Sequence, residues 1–213
     1  MHSRRDLHQI VLDVELVLIS VVQGVALTTL AAEASPVLRS HELIAYAFVG
    51  TGLLFVPSFW SVALVHAVSF LSWPMDLVHY YFYFGVALLE CLTFTRIGHP
   101  HDWFGFSIAC FGLSTALYAY DFLLIRRRRA DFEGSAPRRA LYEHIRRGQR
   151  FEMLVLMPAG LVFSVAAWMI VGARPSAATP LAVAQFALSV GFLANFLRSF
   201  GRRQQLIGAC TTD

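Results

Sequence analysis

The chain has 213 residues, of which 57% are hydrophobic and only 15% are charged, and its mean hydropathy is +0.58. Soluble domains usually carry about 25% charged residues, so the composition excludes an ordinary soluble domain and indicates a membrane protein. Lysine is absent and all 17 basic residues are arginine. These arginines lie mostly between apolar segments, where membrane topology places them. The net charge of +3 therefore does not indicate a nucleic-acid partner.

Apolar segments of membrane-spanning length recur along the chain. A helix needs about 20 predominantly apolar residues to cross a hydrocarbon core about 30 Å thick, and six segments meet that requirement. We therefore expect one all-α transmembrane domain over residues 1–213, folded as a bundle of six transmembrane helices. The predicted spans are approximately 10–32, 43–71, 77–94, 103–125, 153–171 and 181–200.

The arginines predict the orientation of the bundle. With a cytoplasmic N-terminus, fourteen of the 17 arginines lie on the cytoplasmic side, nine of them in the segment 126–150. This asymmetry follows the positive-inside rule, so we expect both termini and an arginine-rich loop at 126–150 to be cytoplasmic. The protein is then a multi-pass protein of the cell membrane, the cytoplasmic membrane in a bacterium. The run Arg126–Arg129 is expected to contact anionic lipid headgroups.

Polar side chains form a stripe on the first predicted span. Asp13, Ser20, Gly24 and Thr28 are spaced by seven, four and four residues, which places them on one face of a helix. Lipid cannot satisfy such a face, so this stripe is predicted to meet other polar helices. Ser35 and Pro36 are expected to end this first helix.

The third predicted span carries the most polar chemistry. Asp76, His79, Tyr83 and Glu90 recur at helical intervals and share one face. Two interpretations of Glu90 are open, because ionisable groups inside a membrane face either a bundle interior or the interface. It either binds an ion or a proton inside the bundle, or it snorkels to the outer interface and pairs with Arg96.

The fourth predicted span repeats this pattern, since Ser107, Ser114, Tyr118 and Asp121 lie on one stripe. Four acidic residues are expected near the inner ends of the spans, where they either attract cations or pair with nearby arginines. They are Asp13, Glu15, Asp121 and Glu152.

Histidines suggest two candidate metal sites. His66, Asp76 and His79 flank one short turn, and imidazole with carboxylate is a ligand set that binds divalent metals or relays protons. Paired histidines on facing helices also suit a haem, whereas helix capping explains the same residues without any cofactor. The cofactor is therefore unknown. The second candidate metal site is the short sequence that contains His99, His101 and Asp102.

These patterns favour a transport function. The leading hypothesis is an ion channel or a transporter of ions or small solutes, oligomeric, with a pathway between spans 1, 3 and 4. One alternative is a non-catalytic membrane subunit or scaffold, and another is a metal- or haem-dependent membrane enzyme. The sequence lacks the Walker A, HExxH and GxSxG motifs. The candidate pathway residues are Asp13, Ser20, Thr28, Asp76, His79, Tyr83, Glu90, Ser114, Tyr118 and Asp121.

Overall fold

A computed structural model describes residues 4–68, 77–127 and 129–211. It is 93% helical and has no strand within those ranges, which confirms the all-α prediction. The α-helices are α1 Arg4–Leu38, α2 Leu43–Val68, α3 Leu77–Phe94, α4 Pro100–Arg127, α5 Ala136–Phe151, α6 Met157–Ala173 and α7 Ala178–Thr211. A single turn of π-helix, Glu152–Leu156, joins α5 to α6, and short 3-10 turns lie at Arg129–Phe132 and Pro175–Ala177.

Five helical segments among the described residues are long and apolar enough to cross a membrane, as in a multi-pass membrane protein. The apolar part of α3, Val78–Phe94, is shorter than these five. The five segments are Leu16–Leu38, Leu43–Ser61, Pro100–Arg127, Ala136–Ala173 and Pro175–Cys210.

The helices form a ring of neighbours. α1 packs against α2 and α3, α4 packs against α3 and α6, and α7 packs against α2 and α5. Glycines allow two of these close approaches: a Cβ atom at Gly50 would lie 2.7 Å from the ring of Phe186, and Gly160 leaves no room for one against Phe111. A large core of buried apolar residues lies around Phe48 and closes one end of the bundle.

The other end of the bundle, where α4 finishes with Arg126 and Arg127, is called the arginine-rich end. The sequence predicted a loop over 126–150, but most of this segment is helical. α5 is strongly amphipathic, and its buried residues Leu141 and Ile145 pack with Cys210 of α7. α7 accordingly extends to Thr211, well beyond the predicted boundary at residue 200, because its last turns cover the apolar face of α5.

Two further boundaries differ from the sequence predictions. α1 continues through Pro36 to Leu38, so the proline lies in its last turn; its missing N–H costs one hydrogen bond to the carbonyl of Ala32, and the helix ends two residues later. The turn that follows contains His41 with φ = 56°. Histidine is one of the residue types that adopt this left-handed conformation more often than most, and the reversal brings α2 alongside α1.

Candidate functional site

A cavity of about 160 Å³ lies within the bundle, between α2, α3, α4, α6 and α7. Aromatic rings from all five helices contribute to its wall. Such a wall is the expected result of packing Phe-rich helices around a space that their backbones leave open. The phenylalanines that line it are Phe55, Phe59, Phe94, Phe111, Phe163 and Phe192.

One stripe of α4 runs the length of the cavity. Spacings of four, three, four and four residues place these side chains on a single face of the helix. Along the stripe the polar groups are an indole, two hydroxyls, a thiol and a phenol, so α4 supplies half of the polar residues in the wall. The members that line the cavity are Trp103, Ser107, Cys110, Ser114 and Tyr118.

Among the described residues, Glu90 of α3 places the only carboxyl group on the cavity wall. Glu90 is 6% exposed, and its Oε2 atom has no hydrogen-bond partner among the described residues. The side chain of Gln23, on α1, is close enough to interact with this carboxyl, yet neither polar atom of the Gln23 amide reaches hydrogen-bond geometry. Nearby, Thr93 Oγ1 lies 3.6 Å from Cys110 Sγ.

The alternative in which Glu90 snorkels towards Arg96 does not match this geometry. Glu90 is buried in the interior of the bundle, whereas the guanidinium of Arg96 lies 6.0 Å from the centroid of the Phe106 ring. No ion pair joins Glu90 and Arg96 in the described part of the chain. Of the two interpretations, the structure therefore favours an inward-facing carboxyl.

A hydrogen-bonded network closes the cavity at the end away from the arginines. Trp103 Nε1 donates to Gln185 Oε1 at 2.8 Å, and Gln185 Nε2 donates to Ser107 Oγ at 3.4 Å. All three side chains are buried. Since these polar atoms satisfy one another, this end can stay dry without leaving a polar group unpaired.

Buried ionisable groups gather at the arginine-rich end of the cavity. His79 Nε2 of α3 lies 2.8 Å from Asp121 Oδ1 of α4, and both side chains are almost fully buried. One turn along α4, Tyr118 lies within electrostatic range of Glu152 and Arg203. Gln149 Nε2 donates to the Tyr118 carbonyl at 3.1 Å. Residues from four helices therefore assemble a polar cluster just beyond the cavity.

The structure brings together the predicted residues of α3 and α4 but not those of α1. His79, Tyr83, Glu90, Ser114, Tyr118 and Asp121 line or adjoin the interior between these two helices. Ser20 and Thr28 are exposed, and their hydroxyl groups donate to carbonyls one turn earlier in α1, at 2.8 Å each. Asp13 is also exposed. The polar stripe of α1 thus faces away from the cavity, contrary to a pathway lined by α1, and Ser20 Oγ also accepts a hydrogen bond from Trp60 Nε1 of α2 at 3.3 Å.

The predicted histidine cluster is only partly described. Asp76 and the side chain of His66 lie outside the described residues, and His79 bonds to Asp121 instead. In the second candidate metal site, His101 Nδ1 lies 3.7 Å from Asp102 Oδ1, and the His101 ring packs on Trp168. Among described residues, no group of three or more metal-ligating side chains comes together.

Sequence reasoning did not assign Gln185, Ser189 or Arg203 to the site. Gln185 and Ser189 lie four residues apart and both face the cavity, so their helical spacing was the available signal. Arg203 lay beyond the predicted end of the sixth span. Its position beside Glu152 depends on the extended α7, for which the apolar pattern of the sequence carries little signal.

No family model matches the chain, and no curated protein or solved structure is significantly similar to it.

The buried pair His79–Asp121 gives a test of the site. Removing one partner strands the other in a buried environment, so His79→Leu and Asp121→Leu should each lower the free energy of unfolding by about 3 kcal/mol. The double variant should lose less than the sum of the two, which is the signature of direct coupling. Chemical unfolding in detergent micelles measures all three.

The exposed pair Glu143–Arg146, with 3.0 Å between its charged atoms, supplies the control. Glu143→Ala should change the free energy of unfolding by no more than about 1 kcal/mol. Additive losses for His79→Leu and Asp121→Leu would contradict the coupling.

Proposed function

We propose that this chain is a membrane transport protein that binds an ion or a small solute in the central cavity. The observation that carries the proposal is the inward-facing carboxyl of Glu90, buried on the wall of a cavity that five helices enclose. Ionisable groups within membrane segments are costly to bury and mark ion and substrate sites. The pathway proposed on this basis lies between α3, α4, α6 and α7, with α1 outside it.

The two ends of the cavity suit different roles. The Trp103–Gln185–Ser107 network is neutral and mutually satisfied, which favours a closed end. The opposite end holds four ionisable side chains, His79, Asp121, Glu152 and Arg203. A charge or a proton that leaves Glu90 in this direction meets titratable groups, so the proposed route opens towards the arginine-rich end.

Transport in proteoliposomes tests this function. Protein-dependent fluxes of radiolabelled rubidium and methylammonium, and of protons with an internal pH dye, should exceed those of protein-free liposomes for at least one solute. Glu90→Gln should lower that flux about tenfold or more, since a hydrogen bond to a charged group contributes about 1.5–3 kcal/mol.

Glu42→Gln makes the same chemical change at an exposed position outside the cavity and should leave the flux within about twofold. The proposal is wrong if the wild-type protein carries none of the three solutes, or if Glu90→Gln matches the wild type.

We also propose the six-span arrangement with both termini in the cytoplasm. α3 would be the sixth span: it packs between α1 and α4 along the bundle, and Val78–Phe94 is an uninterrupted apolar helix. The arginine distribution supports the orientation, because the arginine-rich end carries α5, Arg126 and Arg127. Whether copies of the chain associate, or bind another subunit, stays a prediction.

Cysteine labelling of intact cells tests this arrangement, in a background without the three natural cysteines. His99→Cys and Ser176→Cys lie in exposed connections at the end away from the arginines, so an impermeant maleimide should label them from outside. Gly134→Cys and Gln205→Cys should react only after permeabilisation. Labelling of Gln205→Cys in intact cells would contradict the orientation.

Anionic lipid is the partner that we propose for the arginine-rich end. A groove of about 340 Å³ is lined by four arginines and three apolar residues, Arg126, Arg146, Arg147 and Arg150 with Phe122, Met153 and Leu154. Arginine forks match phosphate geometry, and the apolar side chains suit the first carbons of acyl chains. The groove adds α5 to the arginine run that the sequence indicated.

Lipid-dependent stability tests this groove. Phosphatidylglycerol added to phosphatidylcholine nanodiscs should raise the unfolding temperature of the wild type, because a ligand of the folded state stabilises it by mass action. The Arg147→Gln/Arg150→Gln variant should lose most of that increase. Arg138→Gln/Arg139→Gln removes the same charge from exposed positions of α5 outside the groove and should retain it. Equal losses in the two variants would exclude a specific site.

A further inference from the structure

We propose that the central cavity binds a lipophilic primary amine of about the size of one aromatic ring. Its ammonium group would bind the Glu90 carboxyl, and it would reach the cavity from the bilayer through a lateral opening between α6 and α7. The inference rests on the same cavity as the proposed function, but it names the ligand class and the route.

The size and the lining of the cavity point to a single ring or a short alkyl chain. A protein cavity of about 150 Å³ lined by apolar residues accommodates benzene, and this one measures about 160 Å³. The phenylalanine rings, with Trp103 and Tyr118, provide an apolar wall. Aromatic faces also attract a cation by electrostatic interaction with the ring. The wall therefore suits both halves of an amphiphilic amine.

The polar end of the ligand follows from Glu90. Glu90 is the only acidic residue among the described residues that line the cavity, and its carboxyl has no ion-pair partner in the described ranges. An ammonium group has three donors and one positive charge, so it can donate hydrogen bonds to the carboxylate and neutralise its charge. A neutral hydroxyl of the same size offers one donor and no charge, and we expect it to bind more weakly.

The lateral opening follows from how α6 and α7 pack. α6 lies against α4, and α7 lies against α2 and α5, so a three-residue connection joins two helices that contact each other little. Near that connection both helices enter the large core, through Ala167 and Ala182. At the arginine-rich end, α7 contacts α5 instead, where the His144 ring lies 3.2 Å from the Ser199 carbonyl. The cavity lies between these two junctions.

Ala159 of α6 and Leu188 of α7 form the rims of this opening. Both residues line the cavity, and both are exposed on the outer surface, Leu188 by 53%. The outer surface of both helices is apolar around these positions, where Val162 and Val190 are exposed. A ligand that dissolves in the bilayer can therefore reach Glu90 without crossing the polar cluster.

Equilibrium binding of radiolabelled benzylamine to the protein in nanodiscs tests the ligand class. Benzylamine should bind saturably and at least tenfold more tightly than benzyl alcohol, its neutral counterpart. Glu90→Gln should weaken benzylamine binding at least tenfold, and Glu42→Gln should leave it within twofold. Equal affinities for benzylamine and benzyl alcohol, or no saturable binding to the wild type, would overturn the proposal.

The natural thiol on the cavity wall gives a second measurement that does not depend on a Glu90 variant. With Cys91 and Cys210 replaced by alanine, Cys110 is the remaining cysteine, and it lines the cavity. Saturating benzylamine should slow its reaction with N-ethylmaleimide at least fivefold, whereas benzyl alcohol at the same concentration should not. A reaction rate that benzylamine leaves unchanged would place the amine elsewhere.

Two tryptophan variants test the route. Ala159→Trp should lower the association rate of benzylamine at least fivefold by filling the opening. Ala166→Trp lies two turns further along the same exposed face of α6 and does not line the cavity, so it should retain the wild-type rate. Equal rates in both variants would mean access from the aqueous side and would overturn the lateral route.

The binding and flux results separate this inference from the proposed function. Glu90-dependent benzylamine binding without flux of any solute would leave the ligand site standing and remove transport. Glu90-dependent flux of rubidium, protons or methylammonium without benzylamine binding would do the reverse.

Discussion

The structure depends on the seam between α3 and α4. Hydrocarbon offers no hydrogen bonds, so polar groups on a membrane helix must find partners within the protein. On this seam His79 pairs with Asp121, and Thr93 approaches Cys110. α4 adds the Trp103 indole, which donates to Gln185 on α7. Glu90 lines the cavity from this seam, and its Oε2 atom has no hydrogen-bond partner in the described part of the chain.

Fold class and helix positions were largely predictable from the sequence. Apolar runs of 18 or more residues have few structural alternatives, and the arginine-rich break between α4 and α6 is where the apolar pattern stops. The end of α7 was not predictable in the same way. Its last turns are held by α5, and the packing of Leu141 and Ile145 on Cys210 is a long-range contact that no local pattern encodes.

The candidate site was predictable in part. Helical periodicity identified the faces of α3 and α4 that carry Glu90 and Tyr118, because both faces point inward. The same reasoning placed Ser20 and Thr28 in the pathway, and the structure leaves them on the surface. A hydroxyl that bonds to its own helix, one turn back, needs no polar neighbour. Periodicity shows which residues share a face, but for serine and threonine it does not show which way the face points.

The π-turn at Glu152–Leu156 sets the rotational phase between α5 and α6. A turn of this kind holds one residue more than an α-turn, and each residue rotates a helix by about 100°. With this extra residue, Gln149 reaches the Tyr118 carbonyl while Met157 and Gly160 face the cavity. Pro158, which has no amide hydrogen to donate, lies two residues after this turn. Loss of a single residue here would rotate α6 by about 100° relative to α5 and turn its cavity-lining side away from the cavity while leaving both helices intact, so the length of this turn specifies the site as firmly as any side chain in it.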